Sequence, residues 1–444
     1  MSPSTSAAPA ELARQVTTRI FTALAEADRG VVVDSPPGAG KSTLIVTAAA
    51  RLADAGGRVM VIAQTNEQVD DLTDRLATTR PGLPVGRICG REYVPSARVF
   101  RHAQVSVSAS VADLAGCPVV AGTAHKWATV SGVSWPWALV DEAYQMRSDL
   151  LLRVAGRFDR AMFVGDPGQL DPFSAVQTER WTGLTWDPMQ SAVAVLLRHN
   201  PRIPVHTLPV SWRLPAPAAP VVAEAFYPFT GFRSGSTPDQ RRLTFASSPF
   251  RANPLDDALQ MAADTGWALY ELPARHTMRT DGEAVSACAA LAVRLLQRGT
   301  VAHNERLREA TAAVTADRIA VGTAHRDQAQ AIRSALRAEG LAGITVDTAN
   351  RLQGREFDVT IVLHPLSGRR DATAFHLEAG RLCVLTTRHR HACIVVARAG
   401  IPELLDAHPS TEPVHLNVPV KFPDGWAAHQ AVMAHLQQWK VRAP

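Results

Sequence analysis

VVVDSPPGAGKST, residues 31–43, runs three valines into a proline- and glycine-rich turn and then into GKST. The β-branched run predicts a strand, and GKST predicts the first turn of a helix. Between them Gly38 and Gly40 free the backbone to turn its N–H groups toward an anion, and the helix start adds its dipole. This is the pattern of a phosphate-binding loop. Lys41 would reach the β- and γ-phosphate oxygens, Ser42 would ligate Mg²⁺, and Thr43 would stand beside it. Such loops usually begin with glycine, and Ser35 holds that place, which is tolerable if its φ is negative. Lysine is scarce in this chain. Of 46 basic residues only Lys41, Lys126, Lys421 and Lys440 are lysines, and one of them stands where the chemistry needs it.

Further apolar runs follow at Val59–Ile62, Val119–Val120, Ala138–Val140 and Met162–Val164, separated by stretches long enough for helices. That alternation predicts a parallel sheet with crossover helices. WALVDEAY (137–144) delivers two acids at the end of a strand. Asp141 would complete the Mg²⁺ shell, and Glu142 would orient and deprotonate a water. FVGDPGQLDP (163–172) is again strand then loop, with Gln169 placed to sense a γ-phosphate and Asp166 to link that sensor to the metal. Six prolines between Pro201 and Pro220 suggest a hinge. A second α/β pattern follows, with strands at Ile319–Val321, Ile344–Val346, Val359–Leu363 and Ile394–Val396 and a helix N-capped by Asp327 and ended by Gly340. VVAGTAHKW (119–127) and IAVGTAHRD (319–327) share GTAH after a strand, so the halves look like versions of one unit.

With 444 residues, 46% of them hydrophobic, two or three domains are expected. No apolar stretch approaches the roughly 18 residues of a membrane span, and the N-terminus lacks the pattern of a secretory signal, so a soluble, cytoplasmic protein is expected. Residues 1–10 are small, polar and expected to be disordered. The five cysteines are scattered, without metal-ligand spacing. A net charge of +5 suits a polyanionic partner without requiring one.

The ordered series SPPGAGKST, DEAY, GDPGQLDP, SWRLP, RLQGRE and TTRHR resembles the motifs of superfamily 1 helicases, nearest the B branch that includes the nonsense-mediated-decay helicase. The likeness runs from about Glu11 to Arg398. It implies an α/β fold of two tandem RecA-like P-loop domains, with residues 1–200 as the first, 201–405 as the second and 406–444 as a C-terminal extension. A small β-rich insertion is expected in the first domain at about 80–117. It further implies ATP and Mg²⁺ as ligands, single-stranded DNA or RNA as partner, and 5′ to 3′ translocation. By matched position, Gln15 would contact adenine; Gln353, Gly354 and Glu356 would face the nucleotide. Arg213 would meet the γ-phosphate from the second domain, with Arg388 as arginine finger and Arg390 its neighbour. Thr65, Asn66, Thr123, Thr323 and Thr348 would hold the strand.

The series departs from the family at Tyr144, Cys383, Thr386 and His389, which puts the last motif's geometry in question. Arg87, Arg91, Arg98, Arg101 and His102 are candidates for lining the strand's path, and Trp127, beside His125, for stacking on a base. Two other readings stay open: an ATP-driven nucleoprotein remodeller that does not unwind, and an ATP-gated binding switch with little turnover.

Overall fold

Each apolar run quoted above lies in or overlaps a buried strand of the computed structural model, which describes residues 8–170, 172, 179–181, 183, 184, 187–247, 253–278, 280–305, 311–408 and 424–444. The described residues up to Pro167 and those between 171 and 209 form one compact unit. Gly168–Leu170 and the described residues from Val210 onward form the other.

The first unit is built on strands β1 (Gly30–Asp34), β2 (Val59–Ala63), β3 (Val85–Ile88), β4 (Val105–Ser108), β5 (Val119–Thr123), β6 (Trp135–Val140), β7 (Phe158–Gly165) and β8 (Val205–Thr207). They make one parallel sheet in the order β4-β3-β5-β2-β6-β7-β1-β8. Strand side chains alternate in direction, so Val31 and Val33 enter the core on one face while Val32 enters the core on the other. Covered on both sides, β1 and β2 are uninterrupted hydrophobic runs, as parallel strands should be. The stretch expected as an insertion supplies β3 and β4, which extend the sheet at its edge.

The second unit contains the short pair β9 (Val210–Ser211) and β10 (Arg233–Ser234), then β11 (Arg241–Phe245), β12 (Trp267–Leu272), β13 (Thr300–Asn304), β14 (Thr311–Ala313), β15 (Ile319–Thr323), β16 (Thr345–Thr348), β17 (Phe357–Leu363), β18 (His389–Arg398) and β19 (Lys440–Arg442). Six form a parallel sheet in the order β16-β15-β17-β18-β12-β19. Strands β11, β13 and β14 make a separate antiparallel sheet. The described part of the C-terminal extension is integral to this unit, because β19 closes the sheet's edge and the helix Gly425–Leu436 sends Ala428, Val432, Met433 and Leu436 into its core. Most of residues 1–10, expected to be disordered, and residues 409–423 lie outside the described residues. One helix start differs from expectation. It is His325, not Asp327, that N-caps the helix Arg326–Ala338. No helix among the described residues is long and apolar enough to cross a membrane.

Neutral histidines are packed into the second unit's interior. Burial pushes His389 and His429 down to about 3, and His364 lies well below its ordinary 6.5, with its ring centroid 5.1 Å from that of His429. The unfolded chain takes up these protons near pH 6.5, whereas the folded one refuses them until far lower pH. Stability is therefore complete above pH 6.5 and drains away as pH falls toward 3. At pH 5, His389 and His429 should each cost about 2 kcal/mol relative to pH 7, read as a falling urea midpoint. An unchanged midpoint over that interval would contradict their neutral burial.

Candidate nucleotide and strand sites

The loop after β1 is shaped by its two glycines. Gly38 and Gly40 have φ of 73° and 96°, left-handed values that side chains resist. Ser35 is not among the residues with positive φ, so its substitution for glycine brings no backbone strain. It is fully buried, and its N–H donates to the Gly165 carbonyl at the end of β7. Gly40 N-caps the helix Lys41–Asp54 without offering a side-chain acceptor, which suits the helix start to an external anion.

Lys41 Nζ lies 3.1 Å from Glu142 Oε1. Burial works to strip its charge, but Glu142, Asp166 and Asp141 outweigh that and raise its pKa. Asp141 is pushed up to about 7, first by burial and then by the charge of Glu142. Its N–H donates to the Ile62 carbonyl, fixing it to β2, and its Oδ1 accepts from the Glu142 N–H. Glu142 is the one non-glycine among the described residues with positive φ, 48°. That conformation costs on the order of 1 kcal/mol, which the surrounding contacts must offset. Asp34 and Tyr144, not anticipated as a pair, are joined by a 2.6 Å hydrogen bond from the tyrosine hydroxyl. Burial raises Asp34 to about 6 despite that bond, and Asp166 raises it further.

These residues fit Mg²⁺ and a triphosphate. The carboxylates around Lys41 outnumber it, and the loop is lined by backbone rather than bulk. Among the described residues no three His, Cys, Asp or Glu side chains are grouped to cage a metal. Gln15 is exposed on the helix Pro9–Glu26 and donates to Glu11. Ser42 is partly buried and Thr43 exposed.

In the second unit Glu356 accepts from Arg213 at 2.8 Å and from Arg390 at 2.9 Å. Burial opposes its charge, yet the two guanidinium groups prevail and hold it down at about 2. Gln169 belongs to this unit and accepts from Gln353 Nε2 at 3.1 Å, while Gly354 turns with φ of 79°. Arg388 is only 1% exposed and donates to the Val384 carbonyl and Thr387 Oγ1, so it is drawn inward rather than displayed as a finger. Its neighbour Arg390 is the exposed one.

The expected strand contacts fare unevenly. Trp127 is no stacking platform. It is fully buried, packs edge-on against Trp135, and its indole N–H donates to the Val61 carbonyl. His125 beside it is exposed. Thr65 is engaged in a capping box with Gln68, and Thr123 caps the short helix Ala124–Ala128. Thr323 is fully buried and donates to the His325 carbonyl, and Thr348 is nearly buried. Asn66 Oδ1 accepts from Arg87. Arg87 itself is a structural cation, fully buried 2.7 Å from Asp70. Arg98 pairs with Glu67 and Asp71, and His102 bonds Asp74, leaving Arg91 and Arg101 as the exposed members of that set. Asp171, the acid of the GDPGQLDP stretch, lies outside the described residues.

A parallel sheet whose β1 runs into such a loop, with acids at the end of β6 two strands away and a second α/β unit following in the chain, defines a P-loop NTPase of two RecA-like domains. Two family models, both described as AAA domain, match residues 13–184 and 199–400. Together the two matches span most of the chain, one AAA-type P-loop domain in each half. Its structure is similar to arterivirus nonstructural protein 10, a helicase, at 16% identity over 85% of this chain and 61% of that one, with a TM-score of 0.45. The same viral helicase with DNA matches at 15% identity over 85% and 62%, TM-score 0.44. The PRRSV helicase matches at 14% over 86% and 54%, TM-score 0.42. The chain thus spans between 54% and 62% of the length of these helicases. No curated protein sequence matches it.

Replacing Arg87 with alanine leaves Asp70 charged and buried. The expected loss is about 3–5 kcal/mol of stability by urea unfolding, with the salt dependence of nucleic-acid binding unchanged. A folded Arg87→Ala protein with a shallower salt slope would instead make Arg87 a phosphate contact.

Proposed function

We propose that the protein hydrolyses ATP and couples hydrolysis to 5′-to-3′ movement along single-stranded nucleic acid, separating duplexes ahead of it. The observation that carries this reading is the Lys41–Glu142 ion pair, set beside Asp141 and beneath a loop of left-handed glycines. Lys41 binds the β- and γ-phosphates. Ser42 and Asp141 would hold Mg²⁺, which supplies positive charge against that developing on the transferred phosphoryl group. When phosphate oxygens draw Lys41 away, Glu142 is released from its ion pair and accepts a proton from the attacking water. Gln169, bonded to Gln353, senses the γ-phosphate, and Arg213 with Glu356 and Arg390 meets it from the second domain. Arg388 serves as the finger after leaving the carbonyl of Val384 that it now engages. Gln15 meets the base, Thr65, Asn66, Thr123 and His125 follow the strand, and the buried Thr323 and Thr348 shape the ends of β15 and β16.

The domain limits we propose are residues 1–200 and 201–405, with the described part of 406–444 completing the second domain. The ordered helicase-like motif series supports the coupling to nucleic acid, and the basic balance of +5 is compatible with it.

The test is the ATPase rate without nucleic acid and with single-stranded DNA, single-stranded RNA or duplex. Single strands should raise the rate of the wild type. Lys41→Ala should abolish turnover, Glu142→Gln should lower it on the order of 10²- to 10⁴-fold, and Arg388→Ala about 10³-fold or more. A rate indifferent to nucleic acid and to Glu142→Gln would replace the motor with an ATP-gated binding switch. Stimulation with streptavidin displacement but no strand separation would make it a remodeller.

A further inference from the structure

Strands β6, β7 and β1 lie side by side, and their carboxyl ends carry DEAY, the GDPGQ loop and the phosphate loop. Gly165, the last residue of β7, is paired with Asp34, the last of β1. A Cβ on Gly165 would stand 2.9 Å from Tyr144 Cδ2, so the ring passes over the end of β7 where a side chain is missing. Beyond that gap its hydroxyl reaches Asp34 Oδ1 at 2.6 Å, a bond spanning 110 residues of sequence. The same turn is pinned by the Ala143 N–H donating to the Val164 carbonyl and by the Gln145 N–H donating to the Glu142 carbonyl. Between these ties sits Glu142, held at a φ of 48°. A carboxyl one residue before a phosphate loop repels the anion that the loop must bind, so Asp34 needs a compensating use. Burial lifts it to about 6, and its Oδ1 is taken up by the hydrogen bond that the tyrosine hydroxyl donates.

We propose that Tyr144 and Asp34 form a strap across the three strand ends that holds Glu142 in its left-handed conformation and thereby aims its carboxylate. Tyr144 is a positioning residue, and Asp34 is its anchor. The role rests on the hydrolysis reading above, and it concerns the turnover step rather than ATP binding.

The experiment uses the full chain. Steady-state ATPase is measured with single-stranded DNA, alongside hydrogen–deuterium exchange of the peptide that contains residues 141–147. Tyr144→Phe should lower kcat about tenfold, the effect of one hydrogen bond, with KM for ATP within about twofold of wild type and faster exchange in that peptide. Asp34→Ala should do the same. Asp34→Asn keeps the acceptor oxygen and should restore both kcat and slow exchange. The Asp34→Ala/Tyr144→Phe pair should be no worse than either single change. Wild-type kcat and exchange in Tyr144→Phe, or fully additive losses in the pair, would overturn the strap. If no version turns over ATP, the hydrolysis reading has failed on its own, and the exchange data still decide whether the strap holds the turn.

Discussion

Lys41 is buried among carboxylates that it cannot neutralise. Glu142, Asp141 and Asp166 all act to keep its ammonium charged against the pull of burial, and Asp141 is driven to about 7 in their company. Buried charge is tolerated only where it is paired, so this end of the sheet is stable as an arrangement yet unsatisfied in charge. A divalent cation and a polyphosphate together would relieve both parts, the cation by meeting the acids and the phosphates by meeting the lysine. The rest of the first unit follows from the need to hold those groups close. Parallel strands buried on both faces fix Asp34, Asp141 and Gly165 at one rim, and backbone bonds from Ser35 to Gly165 and from Asp141 to Ile62 lock the rim in register.

The second unit has the opposite polarity. There one acid, Glu356, is clasped by Arg213 and Arg390, and its low pKa measures how strongly the guanidinium groups dominate. A cluster of this kind is poised to exchange one anion for another, since an arginine already held by a carboxylate needs no rotamer search to meet a phosphate. The Arg388 guanidinium donates to the Val384 carbonyl and the Thr387 hydroxyl.

Much of this was legible in the sequence because the relevant signals are local. A phosphate loop needs its glycines, lysine and serine within a few residues, and strands announce themselves in short β-branched runs. What sequence could not show was which side of the surface a residue would fall on. Trp127 stands two residues from the exposed His125 yet points into the core, because the short helix after β5 turns successive side chains in different directions. Arg87, Arg98 and His102 form a basic stretch on paper, but each meets an acid of the helix Asn66–Thr79, 17 to 31 positions away. The strands β12 and β19 went unseen because WALYEL and KVR are brief and mixed, and they become strands by adding to an edge already made. Tyr144 was visible as a departure from the family, but its partnership with Asp34 depends on a fold that brings distant strands together.

The repeated GTAH shows how far a sequence echo extends into structure. In both units it follows a parallel strand, β5 or β15, that ends on the threonine and leads into a helix, so the framework is shared. The side chains then diverge. Thr123 accepts a hydrogen bond from the Lys126 N–H and caps its helix, whereas Thr323 turns inward and donates to the His325 carbonyl. His125 is exposed, but His325 is bonded to His376 at 3.0 Å and stacked on Phe375. Burial and the nearby Arg369 and Arg381 keep His325 below its ordinary pKa, so its imidazole is a neutral structural link rather than a cation offered to a phosphate. Equivalent backbone at the two strand ends therefore carries two different side-chain settings: an exposed one in the first unit and one built into a packed histidine and arginine cluster in the second.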